Sequence, residues 1–417
     1  VVTGLSAREA AGRILAALEL QPTLRVPLET ALGSVLAEPV VSPINVPFWA
    51  NSAMDGYAVR AEDVRGASPE RPKRLTVIEE IPAGAFPARP IGPGQASRIF
   101  TGAPLPEGAD SVIRQEDTDQ GDPTVAILGD RDCGVNLRRA GEDIPSGTTV
   151  LEPGVELQPA HLGILASLAV SHPVVYRRPR VAILGSGDEI VDVDRPDEIL
   201  SGRKIASSNT HTLRALVRLA GGEPVNLGIA ADDVGALRQL LARATECDLL
   251  VTSAGISVGE HDHLRTAIES LGGRLDFWKI RIRPGAPVGF GTLGDLPWIG
   301  LPGNPVSTMV TFELLVRPAI RALMGNRLPF RQGTPVRVVE SITLGPRLQH
   351  FLRAVVTRNG EASEARLTGP QGSGILMSMV LANALVIVPE GHHETPAGTV
   401  LDAIVLDDPR HRPDPPF

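Results

Sequence analysis

Arg180-Val181-Ala182-Ile183-Leu184-Gly185-Ser186-Gly187-Asp188-Glu189 is the stretch whose reading decides the fold. A short apolar, partly β-branched run ends abruptly in Gly-Ser-Gly, the pattern of a buried strand stopping at a tight turn. Downstream, strand and helix patterns alternate. Asn209–Ala220 reads as a helix, capped by Asn209 and stopped by Gly221-Gly222. Pro224–Ile229 reads as a strand, Asp232–Ala244 as a helix and Asp248–Thr252 as a strand. Leu264–Leu271 follows as a helix, Trp298–Leu301 as a strand and Val306–Met324 as one long helix. Such alternation predicts a doubly wound α/β unit, a parallel sheet with helices on both faces.

Outward from this unit the texture changes. Ala7–Leu20 carries Ile14, Leu15 and Leu18 at helical spacing, and Pro22 ends it. Between Thr23 and Thr149, short apolar runs (Arg74–Ile81, Ser97–Phe100, Val125–Leu128) sit among Pro, Gly and Asp clusters, the mark of short strands and turns. Gln158–Ala169 reads as a helix. After Gly325, Arg337–Leu344, Phe351–Thr357, Leu385–Val388 and Val400–Leu406 read as strands of a small all-β unit. The Pro-rich stretch His411–Phe417 is expected to be disordered. The fold class is therefore multidomain, α/β plus β.

Composition narrows the function. A net charge of -8 argues against a broad nucleic-acid face, which needs clustered cations. Aromatic residues make up only 3% of the chain, too few for base-stacking platforms. Two cysteines, Cys133 and Cys247, cannot form a disulfide framework or a multi-cysteine zinc site, and suit a reducing, cytoplasmic setting. The apolar run Leu162–Tyr176 is broken by Ser167, His172 and Pro173, so no membrane span is expected.

Ligands of open α/β sheets bind beyond the carboxyl ends of the strands. Three loops stand there: Gly185-Ser186-Gly187-Asp188-Glu189, Thr252–Gly259 with Ser253, Gly255, Ser257 and Gly259, and Leu301-Pro302-Gly303-Asn304-Pro305. Glycine permits close approach of the backbone to a ligand, and a helix N-terminus offers free N–H groups to phosphate. No Gly-Lys-Ser/Thr closes a glycine-rich loop, and Gly185-Ser186-Gly187 lacks the third glycine of the dinucleotide fingerprint, so P-loop and dehydrogenase readings are disfavoured. Glu189 and Asp262 follow two of these loops; carboxylates beside an anion site call for a divalent cation, although Asp262 also suits a helix cap. His261-Asp262-His263 reads as polar residues at a helix entrance rather than a metal site, for want of a third ligand. Lys279, Arg281 and Arg283 alternate along Phe277–Gly285, which puts all three on one face of an extended segment, a basic wall for an oxyanion or a solvated face.

Several motifs resemble the MoeA family, which includes the gephyrin E domain. They are Asn51-Ser52-Ala53-Met54-Asp55-Gly56-Tyr57-Ala58, Thr101–Asp110, Arg139–Ile144, Gly185–Ile190, Ser253–Asp262, Leu301–Ser307, Thr368–Ser373 and Ala382–Ala384, in order over almost the whole chain. The resemblance implies a homodimer whose subunits have an N-terminal helix (1–22) packed on an α/β molybdopterin-binding domain (178–326). It further implies a linker domain (23–41 and 149–177), a β-rich arm (42–148) and a C-terminal β-barrel-like domain (327–417). The implied reaction takes adenylylated molybdopterin and molybdate as substrates, uses Mg²⁺ and releases AMP. Other cofactor-biosynthesis proteins, among them molybdopterin adenylyltransferase, are implied partners.

By the same resemblance, Asp55, Thr101, Glu189 and Asp262 fall on catalytic positions, with Asp55, Glu189 and Asp262 as metal ligands. Gly185, Ser186, Gly187, Asp188, Ser207, Asn209, Ser253, Gly255, Ser257, Gly259, Pro302, Gly303, Asn304 and Pro305 fall on the substrate site. Lys279, Arg283, Ser307, Arg353, Ser373 and Ser378 fall on or near molybdate-binding positions. Departures are Ser207 where the family usually has Asp, Ala254 for Gly, Ala286 for Lys, Leu381 for Ser and Arg283 for Lys. Ser207 motivates an alternative, a weakened paralogue that binds molybdopterin or serves as a scaffold. An adenylyltransferase is a third reading, opposed by the large β-rich region before Arg180.

Overall fold

The computed structural model describes residues 1–254, 263–345, 347–359 and 362–407. Its central sheet contains β1 (Val2–Leu5), β2 (Arg180–Ser186), β3 (Glu223–Ala230), β4 (Leu249–Ser253), β5 (Arg274–Ile280), β6 (Gly289–Leu293) and β7 (Leu296–Leu301). The order across the sheet is β1-β5-β6-β7-β4-β2-β3. All neighbours are parallel except β6, which pairs antiparallel with both β5 and β7. The expectation of an all-parallel sheet is thus corrected. Gly294-Asp295 forms a two-residue hairpin between the paired Leu293 and Leu296, and Gly294 takes the positive φ (61°) such a turn requires. β1 was not legible either; it is a short, largely exposed edge strand with little apolar signal.

Helices cover both faces, as expected. On one lie α1 (Ala7–Ala16), α2 (Ser208–Ala220), α5 (Pro305–Thr311) and α6 (Arg317–Leu323); on the other lie α3 (Val234–Leu241) and α4 (His263–Ser270). Alternation along β2 divides the cores: Val181 and Ile183 join the first, Ala182 and Leu184 the second. α1 is shorter than the Ala7–Leu20 read from the sequence, and begins with a Ser6–Glu9 capping box. α2 ends where Gly221 adopts φ 100°, at a spot where a Cβ would stand 2.9 Å from the Met324 sulfur. The long helix expected over Val306–Met324 is interrupted by a π-turn at Phe312–Val316. Pro318 explains it, because its ring cannot continue an α-helix without clashing with the carbonyl four residues back.

Thr23–Arg25 pairs with Val174–Tyr176 and Val40–Val41 with Thr149–Leu151, around a core that includes Leu36, Leu157, Leu165 and Val175. A five-stranded sheet is built from Gly56–Val59, Lys73–Ile81, Gln95–Ile99, Ser111–Arg114 and Thr124–Ile127, with apolar clusters on both faces. At the C-terminal end, Gly333–Val338, Gln349–Asn359, Ala362–Leu367, Ala384–Val388 and Val400–Val405 close into a five-stranded barrel, because Gln349–Asn359 pairs with both Ala362–Leu367 and Ala384–Val388. The strand read over Arg337–Leu344 is two, Gly333–Val338 and Ile342–Thr343, and Ala362–Leu367 was not anticipated. Phe351 and Leu385 of the barrel belong to the same apolar cluster as β2 and α5, so barrel and α/β unit share a core.

Candidate active site

A cleft of about 850 Å³ opens at the carboxyl ends of β2, β4 and β7. Gly185, Glu189, Ser207, Asn209, Ser253, Lys279, Pro302, Gly303, Asn304 and Pro305, all candidate site residues above, line it. Asn209 was expected to cap α2. Instead Ser207 holds the N-cap position, and Asn209 lies inside the first turn. Its side-chain amide donates to Ser253 Oγ (2.8 Å) and to the Gly303 carbonyl (2.7 Å), tying the first turn of α2 to the ends of β4 and β7. Thr308 Oγ1 donates to the Pro302 carbonyl at 2.6 Å and fixes the third loop to α5.

Ser207 is buried, and its hydroxyl sits 2.7 Å from Thr210 Oγ1, so this wall presents hydroxyls and no carboxylate. Glu189 and Lys279 are the only charged side chains among the described residues lining the cleft. Ser186 is buried, while Asp188 turns away: its carboxylate accepts from Asp232 N at 3.1 Å and its carbonyl from Lys204 Nζ at 2.5 Å. Gly187 has φ 139°, and a Cβ there would meet the Glu189 carboxylate at 2.8 Å, so glycine lets the acid fold back over the turn. Gly255, Ser257, Gly259, His261 and Asp262 lie outside the described residues; His263 opens α4. Among the described residues no three His, Cys, Asp or Glu side chains cluster as a metal site.

The one-face reading of Lys279, Arg281 and Arg283 is corrected. Lys279 has φ +63°, which breaks the alternation of β5 and turns its side chain into the cleft. A β-strand keeps a two-residue period only while every residue stays extended. Arg281 instead forms an ion pair with Glu390 (3.0 Å) and also bonds the Gly4 carbonyl. Arg283 is exposed, on a short strand (Ile282–Arg283) paired with the barrel strand Gln349–Asn359. Ala254, too, has positive φ (73°), the conformation that favours glycine.

Beside the cleft stands Arg353, 0% exposed. Its Nε donates to Ser378 Oγ (3.0 Å) and its Nη2 to the Gly372 carbonyl (3.0 Å). The other terminal nitrogen, Nη1, is buried with no partner, and Arg353 makes no ion pair among the described residues. Burial pushes its pKa down. Ser373 links this group to the cleft, bonded to Asn304 Nδ2 at 3.1 Å, and Gly374 lines the cleft itself. Ser307 is buried one turn into α5. Sequence reasoning missed the apolar wall of Ile190, Ile205, Ala206 and Pro287, and Gln371, whose side-chain oxygen accepts from Arg353 N at 2.8 Å. Only the short β-branched pieces Ile190-Val191 and Ile205-Ala206, which pair with each other, hinted at that wall.

Asp55 and Thr101 form a separate pair on the five-stranded arm. Asp55 Oδ1 accepts from Thr101 N (2.8 Å) and Thr101 Oγ1 (2.7 Å), and these two bonds hold the carboxyl below its ordinary pKa. Both residues are exposed, and no cleft-lining residue comes from their part of the chain. The close sheet around them explains a glycine of the motif: a Cβ on Gly56 would stand 2.0 Å from the Ile113 carbonyl oxygen.

A family model for the MoeA N-terminal region (domain I and II) matches residues 5–169, one for a probable molybdopterin binding domain matches 182–322, and one for the MoeA C-terminal region (domain IV) matches 335–406. The chain is 39% identical over 384 residues to molybdopterin molybdenumtransferase 2 of Mycobacterium tuberculosis, covering 91% of this chain and 94% of that protein. It is 38% identical over 398 residues to the molybdopterin molybdenumtransferase of Nostoc sp., covering 93% and 89%. The crystal structure of the molybdopterin biosynthesis MoeA protein from Pyrococcus horikoshii OT3 superposes with a TM-score of 0.84 at 29% identity, covering 97% of this chain and 100% of that one. With end-to-end similarity in both sequence and structure, the chain belongs to the MoeA family of molybdopterin molybdenumtransferases.

Proposed function

We propose that this protein inserts molybdenum from molybdate into adenylylated molybdopterin, releasing AMP. The observation that carries the reading is Arg353: a buried guanidinium whose Nη1 is unpartnered and which has no carboxylate partner among the described residues, joined to the cleft through residues 372–374. A buried cation without a counter-ion is costly, and an oxyanion is the ligand that offsets the cost. Lys279, Arg353, Ser373 and Ser378 then hold molybdate, with Ser307 and Arg283 nearer the edge. The Gly185, Ser253 and Pro302–Pro305 loops hold the nucleotide phosphates, and the apolar wall takes a ring. Glu189 together with substrate phosphates fits Mg²⁺, which keeps several waters and needs only one or two protein carboxylates. When bound, Mg²⁺ neutralises charge on the phosphoanhydride.

Among the described residues, neither Asp55 nor Thr101 lines the α/β cleft of its own chain, and we place them in the cleft of a second subunit, in a homodimer. The need for an adenylylated substrate makes the adenylyltransferase an expected partner, and the two unpaired cysteines suit the cytoplasm. No described helix is long and apolar enough to cross a membrane. The test is purified protein with adenylylated molybdopterin, Mg²⁺ and molybdate. AMP release together with cofactor that activates a molybdenum apoenzyme is expected; neither product at any molybdate concentration would falsify the reading. One observation favours a weakened, ligand-holding paralogue: the Ser207 hydroxyl is tied to Thr210 where the family usually has a carboxylate. Under that reading Ser207→Asp raises turnover strongly; a wild-type protein already at full rate excludes it.

A further inference from the structure

Away from the cleft, a cavity of about 180 Å³ lies where the loop carrying Leu32 and Gly33 meets the C-terminal ends of α2 and α6. Its walls hold three guanidinium groups, Arg178, Arg218 and Arg321, against a single carboxylate, Glu156. Arginines near helix C-termini have a plain alternative role, bonding the last carbonyls. Arg178 fills that role: its Nη1 reaches the Gly221 carbonyl (3.4 Å) and its Nη2 the Leu32 carbonyl (3.0 Å). The other two do not. Arg321 is paired with Glu156 through Nη2, yet its Nε is buried with no partner. Arg218 is exposed at the mouth, and its guanidinium makes no hydrogen bond or ion pair among the described residues. Asn326 Oδ1 accepts from Leu328 N, and its amide NH₂ makes no hydrogen bond among the described residues.

We propose that this cavity binds a tetrahedral oxyanion, phosphate-like or molybdate-like, held by Arg218, Arg321 Nε and Asn326. The volume admits one such ion, three cations outnumber one anion, and the donors left over are of the kind that oxyanions satisfy. A bound anion ties the end of α2, through Arg218, to the end of α6, through Arg321 and Asn326. The site is distinct from the cleft and stands whether or not the proposed reaction is right.

The experiment is isothermal titration of full-length Lys279→Ala/Arg353→Met protein, which lacks both cations of the cleft site, with inorganic phosphate, sulfate and molybdate at low ionic strength, alongside hydrogen exchange of the wild type. One anion per chain, slower exchange of the amides around residues 216–222 and 321–326, and about tenfold weaker binding in Arg218→Ala are expected. Tighter binding of molybdate than of phosphate would mark a reserve of the metal substrate; the reverse order would mark a phosphate-responsive site. No binding, or binding and protection unchanged in Arg218→Ala with an unaltered melting temperature, would overturn the proposal.

Discussion

Arg353 and Lys279 show what single residues contribute. Removing a buried cation that lacks a counter-charge relieves a desolvation cost, so Arg353→Met is expected to melt no lower than wild type. Loss of one preorganised oxyanion donor should cost about 100-fold in molybdenum insertion, read as turnover against molybdate concentration. A folded Arg353→Met protein with normal turnover would remove Arg353 from the site. At Lys279 the backbone strain is separable from the side chain. Left-handed backbone costs a non-glycine residue about 1 kcal/mol, so Lys279→Gly should be more stable than Lys279→Ala by about that amount, with both equally slow. Denaturant melts of the two variants decide it. Asp55 gives the pH dependence. Its carboxyl is depressed, so what the charge supports persists above the folded pKa and is lost as pH falls through it. A carbon-detected NMR titration should place the Asp55 inflection below the ordinary 3.8 and move it upward in Thr101→Val, which loses the hydroxyl bond but keeps the N–H bond. An inflection at the ordinary value in both proteins would contradict the geometry.

At the scale of elements, periodicity revealed what is local and hid what is not. The strands ending at Ser186, Ser253 and Leu301 were legible because a buried parallel strand writes itself as an apolar run closed by a glycine turn. β6 and Ala362–Leu367 were not, although each forms a short hairpin with a neighbour in sequence, because Gly289-Phe290-Gly291-Thr292 and Ala362-Ser363-Glu364-Ala365-Arg366 carry little apolar or β-branched signal. The π-turn before Pro318 had a local cause that a simple 3.6-residue reading passes over. Lys279 was misplaced for a related reason: period-2 reasoning assumes extended backbone, and one residue at positive φ redirects its side chain. The arm sheet offers a prediction of its own. A Cβ at Gly56 collides with the Ile113 carbonyl, which is backbone and cannot step aside, so Gly56→Ala should destabilise the arm by about 1–3 kcal/mol or more. Limited proteolysis should then cut first between residues 56 and 127; wild-type resistance would show that the sheet can open to accept the methyl.

Across the whole molecule, the α/β cleft was legible from loop chemistry, whereas the barrel's part in the site rested on resemblance. Arg353 and Ser373 lie far along the chain from Asn304, and only folding joins them. The Asp55–Thr101 pair raises the remaining question, which chain it serves. If it works in trans, Asp55→Asn mixed with Lys279→Ala yields heterodimers with one intact site, and about a quarter of wild-type activity returns at equal mixing. Mixtures as inactive as the separate variants would mean that both residues act within one chain. The reading as a molybdenum inserter is tested most directly by anomalous scattering at the molybdenum edge, from crystals holding adenylylated molybdopterin and molybdate. A molybdenum peak within hydrogen-bonding reach of Arg353 Nη1, with the nucleotide phosphates at the Gly185, Ser253 and Gly303 loops, is the predicted result. Nucleotide bound elsewhere, or a cleft that holds neither ligand at saturating concentration, would contradict it.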